Sequence, residues 1–425
     1  MIKCYQAIVF LLLLLSLVGC EKKYEAPVPS LSWDEYNAPG AIPLTFRTRQ
    51  AAEGVYSVTD GADMFGEQVA LKWSFLIKGK DTTYYLSAFC EKDVSYIVLE
   101  GKRAHQTLYF EGYWRKIINT ETGIVRFTIA ADKGGKWLSA DKMPVQRDSI
   151  IFSGVFGNNQ DLPLNKITFK YQRPLNLKPL AILAHRGGGR TSDLLPASEN
   201  SVEIVKLASR LGATGIEIDI RLTKDGIPIL YHDNSLNLRL TQKNGLVGPI
   251  EEYTYQQLYT FVRLINGERI PTLAEVLDAT LRNTNLSFVW LDTKYVGSLQ
   301  VVRKIQKEYL QKADAAGRKL EIVIGLPETK AVDMYLALPD YASAPALCEL
   351  DMETVRQTKA QIWAPRWTLG TQLDAVVQMK AEGRRVFVWT LDVPQYIQQY
   401  QEEGDFDGML SNYPSIVAYY HYTQL

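Results

Sequence analysis

Histidine is scarce in this chain, with only His105, His185, His232 and His421. Two of them follow directly on short apolar runs. Ala181-Ile182-Leu183-Ala184 leads into His185-Arg186-Gly187-Gly188-Gly189, and Pro228-Ile229-Leu230-Tyr231 leads into His232-Asp233. Between them lies Gly215-Ile216-Glu217-Ile218-Asp219-Ile220-Arg221. At the two-residue period of a strand its isoleucines share one face, and Glu217 and Asp219 share the other. The apolar face suits a layer of helices, so the carboxylates point into the enclosed interior. There, neighbouring anions repel, and desolvation costs several kcal/mol each unless a cation compensates. All-oxygen ligation favours one hard divalent ion, Mg2+ or Ca2+, over zinc. Asp292 and Lys294, two apart after Leu286-Ser287-Phe288-Val289-Trp290-Leu291, repeat the device as a third ligand and a phosphate contact.

Each piece alone has an ordinary explanation. Glu-x-Asp on an antiparallel strand is usually a solvated face, a strand-end His is usually structural, and glycines after His185 are simply a flexible turn. The combination is less ordinary, because four successive runs each place polar residues at one end. In parallel α/β architectures sites are built at the C-terminal ends of strands.

The elements that must position these groups follow from the flanking pattern. Beyond Arg173-Pro174-Leu175-Asn176-Leu177-Lys178-Pro179, strand-length apolar runs alternate with segments of helical period, which predicts a parallel sheet. After Ala181 to Ala184 and Gly215 to Ile220, further runs are Pro228 to Tyr231, Leu286 to Leu291, Ile322 to Gly325, Ala346 to Leu350, Gln361 to Trp367, Val386 to Leu391 and Gly408 to Leu410. They outnumber the eight places of a (β/α)8 barrel, and the surplus is expected between Ala346 and Trp367. Ahead of the prolines, residues 45–172 hold short alternating or aromatic runs, such as Ala70-Leu71-Lys72-Trp73-Ser74-Phe75-Leu76 and Ser95-Tyr96-Ile97-Val98-Leu99. This half is expected to be a smaller all-β sandwich or barrel domain.

With 425 residues, 46% of them hydrophobic and 22% charged, the chain suits two water-soluble domains. Lys plus Arg and Asp plus Glu both number 47, so no basic field exists to gather nucleic acid. At the N-terminus a charged start and an apolar run too short to span a bilayer lead to Leu17-Val18-Gly19-Cys20. Residues 1–19 are expected to be a signal peptide and Cys20 the lipidated first residue of the mature chain, as the segment resembles a bacterial lipobox. Residues 20–44 then form a tether. Only Cys90 and Cys348 remain in the folded part, expected as two buried thiols rather than a disulfide or metal ligands.

From Leu180 to Pro414 the ordered motifs resemble the glycerophosphodiester phosphodiesterase family. They comprise His185-Arg186-Gly187, Glu199-Asn200-Ser201, Gly212-Ala213, Glu217-Ile218-Asp219 and Thr223-Lys224-Asp225-Gly226. They continue with His232-Asp233, Ile270-Pro271-Thr272-Leu273, Asp292-Thr293-Lys294 and Val388-Trp389-Thr390, and close with Phe406-Asp407-Gly408-Met409-Leu410-Ser411-Asn412-Tyr413-Pro414. The resemblance implies a TIM barrel spanning 180–425, a divalent metal held by Glu217, Asp219 and Asp292, and His185 with His232 as an acid/base pair. The chain departs from the family's pattern where Asp292 replaces its usual Glu, and where Ser198 precedes Glu199.

Such an enzyme would split glycerophosphodiesters into glycerol 3-phosphate and an alcohol. Arg186 and Lys294 would hold phosphoryl charge, Glu199 would orient a neighbour and Trp389 would wall the substrate pocket. Two rivals are a phospholipase C- or D-like phosphodiesterase acting on intact lipids, and a binding lipoprotein whose all-β domain takes a glycan or envelope ligand. Exposed apolar loops at the barrel mouth would favour the first rival. The expected location is the bacterial cell envelope, at the outer membrane, with the lipid anchor as membrane partner.

Overall fold

A computed structural model describes Pro29, residues 32–142 and residues 149–425. The signal segment, Cys20 and the start of the tether lie outside the described residues. No helix among the described residues is long and apolar enough to cross a membrane.

The first half closes into an eight-stranded antiparallel barrel, β1 (Gly54–Asp60), β2 (Gln68–Lys78), β3 (Asp81–Cys90), β4 (Ser95–Ala104), β5 (Thr107–Lys116), β6 (Thr122–Ile129), β7 (Ile151–Phe156) and β8 (Asn165–Arg173). Every strand pairs with its neighbours in sequence, and β8 pairs with β1 to close the ring. Alternation explains the closure: Leu71, Leu86, Ile97, Phe110, Val125, Phe127, Phe152 and Phe169 fill the interior. A barrel also removes the exposed edges that an open sheet would leave. The described end of the tether is docked on this domain. Trp33 packs edge-on against Tyr109 at 5.7 Å, and Ile42–Pro43 pairs with Lys102 and Arg103 of β4.

The second half is a closed parallel barrel of β9 (Ala181–Ala184), β10 (Gly215–Leu222), β11 (Phe288–Thr293), β12 (Glu321–Leu326), β13 (Ala346–Cys348), β14 (Ile362–Trp363), β15 (Arg385–Val388) and β16 (Gly408–Ser411). One helix packs after each barrel strand, α1 (Val202–Ala208), α2 (Leu273–Asn283), α3 (Gln300–Ala315), α4 (Thr329–Leu336), α5 (Met352–Thr358), α6 (Leu373–Ala381), α7 (Pro394–Glu403) and α8 (Pro414–Thr423), with a further short helix, Tyr255–Phe261, ahead of α2. Inside the ring Leu183, Phe288, Trp290, Val323, Leu347, Ile362, Phe387 and Leu410 form an apolar plug. Ile216, Ile218 and Ile220 face the helices, as their two-residue period requires.

The surplus run is not where the sequence pattern places it. Both runs between Ala346 and Trp367 are barrel strands, separated by the crossover helix α5. The extra run is Pro228–Leu230, which pairs antiparallel with the end of β10 and stands outside the ring. The physical reason is the connection. A parallel crossover needs a dozen or more residues, whereas Thr223-Lys224-Asp225-Gly226-Ile227 is a tight reversal. Its Gly226 amide donates to the Thr223 carbonyl at 2.8 Å, and Gly226 has φ 76°. Asp292 therefore lies on the third barrel strand rather than the fourth.

One apolar cluster runs across the interface of the two barrels, while the interior of the first barrel forms a cluster of its own. Outward residues Val55, Ala70, Tyr85, Phe89, Tyr96 and Val98 of the first barrel pack in the same cluster as Ile416, Tyr419 and Tyr422 of α8. Phe89 stacks on Tyr422 at 6.3 Å. Gly212, with φ 95°, permits the approach, since a Cβ there would stand 2.7 Å from Ala418 Cβ and 3.1 Å from the Phe89 ring. Cys90 and Cys348 are buried free thiols. Because this interface cluster spans both barrels, calorimetry is expected to give one unfolding transition, which Phe89→Ala destabilises by about 3–5 kcal/mol as a single unit. Two separated transitions would show that the barrels are stable independently.

Candidate active site at the barrel mouth

The C-terminal ends of the parallel strands surround a cavity of about 310 Å3. It is lined by His185, Arg186, Glu217, His232, Trp290, Asp292, Lys294, Pro327, Glu349, Arg366, Trp389, Thr390 and Leu410. Parallel pairing in register sets Asp219 beside Asp292, and both neighbour Glu217. Oxygens of Glu217, Asp219 and Asp292 lie within 4.8 Å of one another.

In each of these carboxylates one oxygen is fixed by a donor and the other makes no hydrogen bond. Glu217 Oε2 accepts from the Arg186 amide at 2.8 Å, Asp219 Oδ2 from Asn200 Nδ2 at 2.7 Å, and Asp292 Oδ2 from Lys294 Nζ at 2.5 Å. Glu217 Oε1, Asp219 Oδ1 and Asp292 Oδ1 are buried without a hydrogen-bond partner. Burial, reinforced by repulsion from Asp219 and Asp292, pushes the Glu217 carboxyl well above the usual carboxylate range. Burial also raises Asp292, while Lys294 opposes the shift. Asp219 behaves differently: burial pushes it upward, but Lys294, 3.5 Å away, and the surrounding cationic groups hold it low. Burial disfavours the Lys294 cation, yet Asp292, Asp219 and Glu217 raise it above its ordinary value. Three buried carboxylates with oxygens this close, each keeping one oxygen free of hydrogen bonds, fit one divalent cation such as Ca2+ or Mg2+.

The imidazoles are held in defined tautomers. Asn412 donates from its backbone amide to Asp392 Oδ1 at 2.9 Å and from Nδ2 to Asp392 Oδ2 at 2.6 Å. A carboxylate only accepts, so Asn412 Oδ1 faces His185, and His185 Nδ1 donates to it at 2.8 Å. His232 Nδ1 donates directly to Asp233 Oδ1 at 2.7 Å. Both rings thus keep Nε2 as the nitrogen free for chemistry. Burial, with Arg186 adding to it, lowers His185 to about 3, so this ring is neutral at physiological pH. Burial pushes Asp233 upward, but bonds from Arg239, His232 and Asn237 hold it below the usual carboxylate range.

Of the sequence-predicted residues, His185, His232, Glu217, Asp292, Arg186, Lys294 and Trp389 line the cavity, and Asp219 sits beside them. Glu199 does not line it. It stands behind Arg186, accepting from Nη1 at 2.7 Å, from the Thr191 amide at 2.8 Å and from Arg239 at 3.3 Å. Its contact is with the arginine rather than with a ligand. The glycines after His185 are packed rather than merely flexible, since a Cβ on Gly188 would stand 2.5 Å from Ile204.

Several groups escape the sequence pattern. Asn412 and Asp392 orient His185 from the two last strand ends. Glu349, with Oε1 buried and unbonded, lines the cavity beside Arg366, whose guanidinium lies 4.9 Å from the centre of the Trp389 ring. Burial, then the Asp292 charge, pushes Glu349 well above the usual range. Both residues follow β13 or β14, in the stretch where a surplus run was expected; the strand-end rule would have found them had those runs been taken as barrel strands. Trp290 Nε1 and Arg186 Nε are buried donors without a partner among the described residues.

Comparison with known proteins fits this geometry. Glycerophosphodiester phosphodiesterase 1 of Mus musculus is 36% identical over 129 residues, which cover 28% of this chain and 36% of that protein. A glycerophosphodiester phosphodiesterase of Caldanaerobacter subterraneus is 36% identical over 103 residues, 23% of this chain and 39% of its own. The chain thus spans little more than a third of the curated relatives it matches. Among solved structures, an Oleispira antarctica phosphodiesterase in complex with the product sn-glycerol-3-phosphate is 20% identical with a TM-score of 0.44, covering 55% of this chain and 94% of that one. The model of the glycerophosphoryl diester phosphodiesterase family matches residues 185–416, more than half of the chain, and the chain therefore belongs to that family.

Proposed function

We propose that this chain hydrolyses glycerophosphodiesters to glycerol 3-phosphate and an alcohol, with the aid of one divalent cation, Ca2+ or Mg2+. The observation that carries the reading is the clustering of three buried carboxylates with two imidazoles of fixed tautomer at one small cavity. Glu217, Asp219 and Asp292 would hold the cation, which when bound polarises phosphoryl oxygen and offsets the crowded negative charge. Arg186 and Lys294 bind the non-bridging oxygens, and the Trp290 indole N–H adds a neutral donor. His185, neutral and with Nε2 unprotonated, takes the proton of the attacking hydroxyl. His232 gives its Nε2 proton to the departing alkoxide as the P–O bond breaks, and the adjacent Asp233 carboxylate compensates its imidazolium form.

We place the enzyme at the bacterial envelope, lipid-anchored through Cys20. Fully extended, the stretch from Cys20 to the docked Trp33 reaches at most about 45 Å, which would keep the all-β domain near a membrane surface. A second reading, hydrolysis of intact phospholipids, is favoured by apolar side chains exposed on the loops and first helical turns after the barrel strands. Val296, Leu369, Leu373, Val393 and Tyr396 are exposed there, and Tyr396 packs on Trp367 at 5.1 Å.

The decisive assay is glycerol 3-phosphate release from glycerophosphocholine, glycerophosphoethanolamine and glycerophosphoinositol. Hydrolysis lost with EDTA and restored by Ca2+ or Mg2+ is the expected result; cleavage of vesicle phospholipid alone would select the second reading. His232→Ala is expected to lower kcat by about 10²–10⁴-fold without disturbing the fold, and retention of substantial activity would sink its assignment as the acid.

Cation binding also has a pH signature. Glu217 and Asp292 are raised in the folded, cation-free protein, so the stability they contribute is present at low pH and is lost as pH rises. A cation must displace those protons, hence its stabilising effect grows with pH. At about 100 times its dissociation constant it contributes about 2.7 kcal/mol. Thermal melts are expected to show a larger cation-induced shift at pH 8 than at pH 5.5, and none in Glu217→Gln/Asp219→Asn.

A further inference from the structure

The turn between His185 and α1 belongs to the catalytic barrel, but it is gripped from the other domain. Arg115, on β5, is only 1% exposed. Its Nη2 donates to the carbonyl oxygens of Asp193, at 3.4 Å, and of Leu194. Leu194 holds a left-handed backbone conformation, φ 51°, so the carbonyls that Arg115 reaches lie at a sharp corner of the turn. A buried guanidinium aimed at two carbonyl oxygens is costly to place there, since its Nε and Nη1 have no hydrogen-bond partner among the described residues.

From that corner two short chains of contacts lead to the site. In the first, the Asp193 carboxylate accepts from Arg190 Nε and Nη2 at 3.0 Å each and from the Tyr413 hydroxyl at 3.2 Å; Arg190 also donates to that hydroxyl at 2.7 Å. Tyr413 directly follows Asn412, which sets the His185 tautomer. In the second, the Thr191 amide holds Glu199 at 2.8 Å, and Glu199 holds Arg186 at 2.7 Å. The far end of the turn is tied by Ser198, whose amide and hydroxyl donate to Glu268 at 2.9 and 2.6 Å. With the ends fixed by the barrel, Arg115 grips the middle from the all-β domain, next to Asn266 Nδ2, which donates to the Leu195 carbonyl at 3.2 Å from the catalytic barrel.

We propose that the all-β domain is a working part of the active site, and that Arg115 is a positioning residue clamping the turn 190–199 so that Arg186 and His185 keep their places. The all-β domain lies outside the family match, so this assigns a role to a segment that the family alone does not explain. The effect on turnover rests on the hydrolytic reading above; the clamp itself does not.

The test uses the full chain with Arg115→Met, which retains the buried stem, Arg115→Lys, which retains the charge, and Ser87→Ala as control. Ser87 donates to the Arg210 carbonyl across the same domain interface at 2.8 Å, away from the turn. Hydrogen exchange over residues 190–199 is measured with kcat and KM. Arg115→Met is expected to speed exchange in the turn and to lower kcat by about 10- to 100-fold, the scale for losing a group that orients catalytic ligands. Arg115→Lys should recover part of both, and Ser87→Ala should leave both within about twofold. Exchange in Arg115→Met equal to wild type, or a fall in kcat no larger than that of Ser87→Ala, would overturn the proposal. If Arg115→Met does not fold, Arg115→Lys decides: faster exchange in the turn at unchanged melting temperature supports the clamp, and unchanged exchange rejects it. A wild-type chain that hydrolyses none of the substrates would refute the functional reading, while the exchange result would still judge the clamp.

Discussion

Three carboxylates held within 4.8 Å of each other in the interior repel strongly, and the architecture around them is arranged to withstand that repulsion. One oxygen of each is spoken for by a donor that the fold supplies: the Arg186 backbone, the Asn200 amide and the Lys294 ammonium. The apolar plug beneath them, from Leu183 to Leu410, gives no polar alternative below. The remaining oxygens are buried without a hydrogen bond. A parallel barrel suits this task because it brings the C-terminal ends of all its strands to one rim, in register.

The same rim decides how the two imidazoles differ. His232 is backed by a carboxylate directly, whereas His185 is backed by one through the neutral amide of Asn412. A directly adjacent anion stabilises an imidazolium; an intervening amide orients the ring with less charge compensation. The two rings on one cavity thus differ in how they are backed, and the acid and base roles proposed for them follow that difference. The β10 reversal at Thr223–Ile227 makes this possible, since it returns the chain to deliver His232 from outside the ring of strands.

The antiparallel barrel joins this arrangement through apolar contact more than through charge. Strand segments buried on both faces, such as Ser95–Leu99, present one set of side chains to their own interior and the other to α8. Gly212 lets Phe89 and Ala418 of α8 approach closely at this interface. A domain that shares its partner's core can hold a loop of the partner's active site at fixed distance, and Arg115 is placed to do so.

Much of the site was legible from local pattern. The two-residue period put Glu217 and Asp219 on the inward face, and the ends of apolar runs located His185, His232, Asp292 and Lys294, because strand alternation is a property of adjacent residues. What the pattern misjudged was equally physical. A short apolar run does not state whether its neighbour is parallel, so Pro228–Leu230 passed for a barrel strand although its five-residue connection was too short for a crossover. Taking Ala346–Trp367 to contain surplus runs hid Glu349 and Arg366. The all-β half could be assigned to its class, but its closure into a barrel depends on β8 meeting β1, more than a hundred residues apart. By itself, then, the sequence determined which residue types stand at which strand ends and which faces are apolar, since those follow from bonded neighbours. Only tertiary structure decided that Asn412 sets the His185 tautomer, that three carboxylates share one point in space, and that Arg115 reaches the Asp193 turn. Those contacts join residues far apart in the chain, and no local period encodes them.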